Sequence, residues 1–143
     1  NGLSLNFGAG YTTHEFTRLA GGVVGLTLNS ALPHVPKWTG TAGLQYDADS
    51  DSGGWTFRVD ASYRGNQFLT IADPTSAEEA HTMVNARLAF RPVSIPNLEV
   101  GLEGTNLTDE EYLIYNQNAT IFGIQLNVPG EPRRLSAVAR YRF

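Results

Sequence analysis

The three histidines, His14, His34 and His81, stand alone, with no His-x-His or His-Glu-x-x-His spacing. Nothing in the primary structure therefore gathers a metal site, and isolated imidazoles read as solvated or structural groups. Cysteine is absent, which excludes disulfides, zinc thiolates and thiol nucleophiles. Glu99 and Glu103 could work as paired carboxylates only across a cleft, and their spacing puts both on one face of one strand. Asp109-Glu110-Glu111 could attract a cationic or metal-bound ligand, and also reads as the solvated start of a loop. No Gly-x-Ser-x-Gly elbow or phosphate loop occurs. The residues make no case for an enzyme or a cofactor. What remains is arginine: of ten basic residues only Lys37 is a lysine.

Those charges must be positioned by the elements around them, and the elements alternate. Residues 3–13, 38–47, 55–64, 81–91, 98–107 and 135–143 each place apolar side chains at every second position, which is the period of a β-strand. In 55–64, Trp55, Phe57, Val59, Ala61 and Tyr63 oppose Thr56, Arg58, Asp60, Ser62 and Arg64. The stretches 48–54 and 92–97 are short and rich in turn formers or proline, whereas 14–37, 65–80 and 108–132 are long. The pattern predicts an all-β, antiparallel up-and-down meander of about six long strands whose long loops share one end. The 143 residues fit one domain or a piece of a larger one.

Charge sorts by phase. Asp47, Arg58, Asp60, Arg64, Arg87, Arg91, Glu99, Glu103, Arg140 and Arg142 all fall in one phase, and the opposite phase of the six runs carries no charge. Aromatics gather near the ends of the apolar phase, at Trp38, Tyr46, Trp55, Tyr63, Phe90, Tyr141 and Phe143, as interface girdles would. A ten-residue strand rises about 33 Å and, tilted by roughly 40°, spans about 25 Å, the height of an outer-membrane apolar band. Two environments fit an apolar face of this kind. One is hydrocarbon around a barrel with a polar lumen; the other is the core of a soluble or secreted β-sandwich with a ligand-binding loop surface. The net charge of −4 disfavours a nucleic-acid partner. No apolar run approaches a transmembrane helix, and the first residues show no signal peptide pattern.

Four stretches also resemble a known family. Gly104-Thr-Asn-Leu-Thr-Asp-Glu-Glu-Tyr112, Pro129-Gly-Glu-Pro-Arg-Arg134, the closing Ala139-Arg-Tyr-Arg-Phe143, and Leu32-Pro-His-Val-Pro-Lys-Trp38 are similar in order and spacing to the C-terminal end of TonB-dependent outer-membrane receptors. The resemblance implies that 1–143 is a partial domain, the last six strands of a barrel of about 22 strands whose lumen holds an N-terminal plug. It implies import of a scarce nutrient, commonly a ferric chelate such as a siderophore, across the outer membrane of a Gram-negative bacterium. The partners it implies are outer-membrane lipid, the rest of the barrel and plug, TonB, and the barrel-assembly machinery. Tyr141 and Phe143 would be read as an assembly signal. The phase-sorted charges Arg58, Asp60, Arg64, Arg87, Arg91, Glu99, Glu103, Arg140 and Arg142 would face the lumen. There they would pair across neighbouring strands, contact the plug or line the path of an anionic ligand.

Overall fold

A computed structural model describes residues 2–20, 25–119 and 122–143. Gly21-Gly22 and the start of the apolar segment at 23–28 lie outside the described residues. The six alternating runs form six antiparallel strands: β1 (Gly2–Tyr11), β2 (Trp38–Ser50), β3 (Gly53–Arg64), β6 (His81–Pro92), β7 (Leu98–Thr105) and β10 (Arg134–Tyr141). Their order in one sheet is β1-β2-β3-β6-β7-β10, each beside its predecessor among the long strands. This is the expected meander.

Two boundaries moved for a physical reason. The connection expected at 48–54 shrinks to Asp51-Ser52, because β2 continues to Ser50 and pairs it with Gly53. Gly53 takes φ of 153°, and a Cβ there would collide with the Arg91 carbonyl and the Phe90 ring. The hairpin closes so tightly because that position has no side chain. The long loops are also more ordered than their composition implies. The second (residues 65–80) holds the short pair β4 (Gln67–Phe68) and β5 (Ala77–Glu78), with a single 3-10 turn at Pro74–Ser76. The third (106–133) holds a hairpin of β8 (Leu113–Ala119) and β9 (Ile124–Pro129).

The placement of the apolar phase decides between core and hydrocarbon. Leu3, Leu5 and Phe7 of β1 are 61, 68 and 91% exposed, and Leu102 and Leu135 at the other side are 61 and 73% exposed. Only Leu69 and Ala89 are buried apolar residues among those described, and neither belongs to that phase: Leu69 is in the second loop and Ala89 shares a face with Arg87 and Arg91. No second layer covers the sheet, since the remaining described strands form only two small two-stranded sheets. The sandwich alternative needs two packed sheets, and the described residues supply one. Aromatics mark both rims. Tyr11 lies 4.7 Å from Trp38 at the long-loop end, while Trp55 lies 4.4 Å from Phe90 and Tyr141 5.2 Å from Phe143 at the short-turn end.

Candidate functional site: the polar face and the loops above it

On the polar face, β6, β7 and β10 bring five of the expected side chains into one cluster. Arg140 stands opposite Glu99, and Arg87 opposite Glu103. Glu99 is its hub: Oε1 accepts from Arg140 Nη1 at 3.0 Å and from Arg87 Nη2, while Oε2 accepts from Arg91 Nε at 2.9 Å. Glu103 Oε1 accepts from Arg140 Nη2 at 3.0 Å and lies 3.5 Å from Arg87 Nε. The Glu99 side chain is 14% exposed, whereas those of Arg91 and Arg140 are 60 and 49% exposed. Three guanidiniums against two carboxylates leave one positive charge.

The other expected residues fall beside this cluster. Arg58 and Asp60 pair along one strand, not across two as expected, through Nε to Oδ2 at 2.7 Å and Nη2 to Oδ1 at 2.8 Å. The reason is in the register: Arg58 faces Arg87 across β3 and β6. Like charges placed opposite repel, so Arg58 turns along its own strand to Asp60 and Arg87 turns to Glu99 and Glu103 of β7. Asp47 accepts from Gln45 and from the Thr56 hydroxyl at 2.8 and 2.7 Å. Arg64 lies at the long-loop rim opposite His81. The Arg142 backbone N–H donates to the Asn97 carbonyl at 3.1 Å. Among the described residues, Arg64 and Arg142 form no side-chain ion pair within 4.0 Å, so the pairing expected of them is absent there.

Above the sheet, the stretch 104–112 builds a lock. Asn106 is 1% exposed, with φ of 50°, a conformation asparagine tolerates. Its Oδ1 accepts from Glu110 N at 2.8 Å, and its Nδ2 donates to the carbonyls of Glu110 and Glu131 at 2.9 and 3.1 Å. Its own N–H donates to Asn85 Oδ1 of β6 at 3.0 Å. Tyr112 covers Gly130, whose N–H donates to the Tyr112 carbonyl at 2.8 Å; a Cβ at position 130 would overlap the ring. Arg133 pairs with Asp109 at 3.1 Å. Asp109 and Glu111 are exposed, as a solvated loop start would be, and Asp109 also helps fix the chain where it enters β10.

The loops hold one another. Pro33 bridges Phe68, and His34 N–H donates to the Phe68 carbonyl at 2.8 Å, joining the first loop to the second. Asp73 accepts from the Thr75 backbone and hydroxyl at 2.9 and 2.6 Å, and from Asn118 N–H at 3.4 Å, joining the second to the third. The Thr75 hydroxyl, above all, holds the Asp73 carboxyl below the usual carboxylate range. The Thr70 hydroxyl donates to the Asn116 carbonyl across the same junction. His14 and His34 are accounted for locally: His14 Nε2 accepts from Leu32 N–H at 2.9 Å, and His34 adopts φ of 59° in a turn.

A sequence profile for the TonB dependent receptor-like, beta-barrel family matches residues 1–107. The chain belongs to the TonB-dependent receptor β-barrel family. Two solved structures agree with that membership at the level of fold. The ferric-catecholate import receptor Fiu of E. coli K12 superposes with a TM-score of 0.74 over 99% of this chain and 19% of that one, at 23% identity. The ferric yersiniabactin uptake receptor FyuA of Yersinia pestis gives 0.68 over 78% of this chain and 17% of that one, at 16% identity. The chain therefore spans about a fifth of the length of these receptors. A search of curated proteins gave no match.

In this receptor barrel segment the features that sequence reasoning missed are polar and long-range. Asn85, Thr70, Asn116 and Glu78 all hold loops in place. A uniform two-residue alternation carries no signal for contacts between loops that lie 35 or more residues apart.

Proposed function

We propose that residues 1–143 are part of the wall of an outer-membrane receptor that imports a scarce nutrient of the ferric-chelate class, driven by TonB. The observation that supports this most directly is the inversion of the faces, with an uncovered, uncharged apolar face opposite a charged one. That is the arrangement of a barrel with lipid outside and a wet lumen. Arg58, Asp60, Arg64, Arg87, Arg91, Glu99, Glu103, Arg140 and Arg142 then line the lumen toward plug and ligand, and the long loops stand at the cell surface. Tyr141 and Phe143, paired edge to face at the short-turn rim, serve as the signal for the barrel-assembly machinery. The ferric-chelate class is supported by membership in the family and by the likeness to Fiu, a ferric-catecholate import receptor, and FyuA, a ferric yersiniabactin uptake receptor.

The test is uptake of labelled ferric catecholates by outer-membrane-competent cells carrying the intact receptor, with and without TonB. Uptake that needs both receptor and TonB supports the reading. Uptake unchanged by removing the receptor refutes the substrate class, and uptake that persists without TonB refutes the energy source.

A further inference from the structure

His81 is 8% exposed at the first position of β6, and the wall and lock described above leave it without a role. Its ring stacks on Tyr112 of the third loop with centroids 4.9 Å apart and planes at 26°. Its Nδ1 lies 3.2 Å from the Glu79 carbonyl and 3.9 Å from Glu78 Oε1, in the second loop. That same Oε1 accepts the Leu113 N–H, from the residue after Tyr112, at 3.2 Å. The Glu78 side chain is 10% exposed. One carboxylate oxygen and one imidazole thus sit together on the junction between two loops.

We propose that His81 and Glu78 form a proton-operated latch that closes the second long loop onto the third. A neutral imidazole has one N–H, and the Glu79 carbonyl can take it. A charged imidazole puts a positive charge, with Nδ1 3.9 Å from Oε1, beside a nearly buried carboxylate, where Coulomb attraction is weakly screened. The charged ring is also better stacked on Tyr112. Other charges bear on it. Arg64, opposite in register on β3, repels a charged ring. Asp109, Glu110 and Glu111 line with Glu78 a cleft of about 550 Å³ and attract it, although Asp109 is already paired with Arg133.

The sign follows from these groups. Imidazoles change charge between about pH 5 and 8, so the extra attraction is present on the acid side and lost as pH rises. Because Tyr112 also covers Gly130, closing the latch braces the chain at its entry into β10. The latch works the same way whatever the barrel transports.

The measurement is amide exchange of the intact receptor, corrected for intrinsic pH dependence, at about pH 5.5 and about pH 8, with β2 and β3 as internal reference. Peptides over 110–118 should exchange about threefold to tenfold more slowly at the lower pH, the effect of one added contact on local opening. His81→Phe, which keeps the stacking, and Glu78→Gln, which keeps the acceptor for Leu113, should each remove the difference. Equal protection of the unmodified receptor at both pH values overturns the proposal without recourse to variants. So does a pH difference that survives in either variant.

Discussion

Placing an arginine at position 59 tests which face meets hydrocarbon. Val59 sits halfway along β3 in a row with Leu44 and Ala86. The midpoint of a spanning strand is where an arginine has furthest to reach for water, so Val59→Arg should cost about 2 to 4 kcal/mol. That is a fall of roughly 30-fold to 700-fold in the folding equilibrium. Ser62 is three residues further along the same strand, on the opposite face, exposed beside Thr41 and Met83. Ser62→Arg should stay within about 0.5 kcal/mol, as for substitutions away from any packed feature. Urea titration of the intact receptor in lipid vesicles reads both. Equal costs would show that the faces are not distinguished by lipid. A cheap Val59→Arg with a costly Ser62→Arg would show that they are reversed.

Further tests bear on the lock and the loops. Gly130→Ala should destabilise the receptor by about 1 to 3 kcal/mol, because its Cβ overlaps the Tyr112 ring; in a Tyr112→Ala background the same change should cost much less, and additive costs in the double-mutant cycle would refute the overlap. Asn106→Ala strands the Glu110 N–H and two carbonyls, so a loss of about 2 to 4 kcal/mol is expected, with exchange at 104–112 accelerated more than at β2. Because the Asp73 carboxyl titrates below its unfolded range, its support of the loop junction is complete above about pH 4 and lost as pH falls through its folded value. Exchange at Thr75 and Asn118 should therefore rise between about pH 5 and 3, and a Thr75 amide indifferent to that change would remove Asp73 from the junction.

The sheet was legible because one physical rule acts at every position. Each strand lies between two environments, so Leu3, Leu5 and Phe7, or Trp55, Phe57 and Val59, repeat every second residue without exception, and the phase of Arg58 or Glu99 follows. The charge cluster was legible only as a list of partners. That Arg58 would turn along its strand to Asp60 depends on Arg87 standing opposite, a fact of register and not of spacing. The loops were least legible. The hairpin of β8 and β9 alternates too, with Tyr115, Gln117 and Ala119 opposing Val128, Leu126 and Ile124, but the stretch carries asparagine, proline and glycine that read as loop composition. Asn106 fell inside the alternating run 98–107 and read as a strand position, whereas it is buried in a left-handed turn and donates to the carbonyl of Glu131, 25 residues away.

The polar networks sit where the sheet most needs registration. A one-residue slip of β10 would turn Arg140 toward the apolar side and Leu135 toward the charged one, and β10 pairs with β7 over eight rungs, against twelve between β2 and β3. Its other edge makes no pairing among the described residues. Apolar packing cannot hold that register, since Leu135 is 73% exposed on the uncovered face. Side chains hold it instead at both ends. Arg140 engages Glu99 and Glu103 near the short-turn end, while Asn106 on the Glu131 carbonyl, Arg133 on Asp109 and Tyr112 over Gly130 hold the long-loop end. Individually, exposed ion pairs contribute about 0 to 1 kcal/mol, too little to account for a fold. As fixed points eight rungs apart, however, they make the slipped pairing lose every one of its polar contacts together, which separates the correct register from its neighbours without a core.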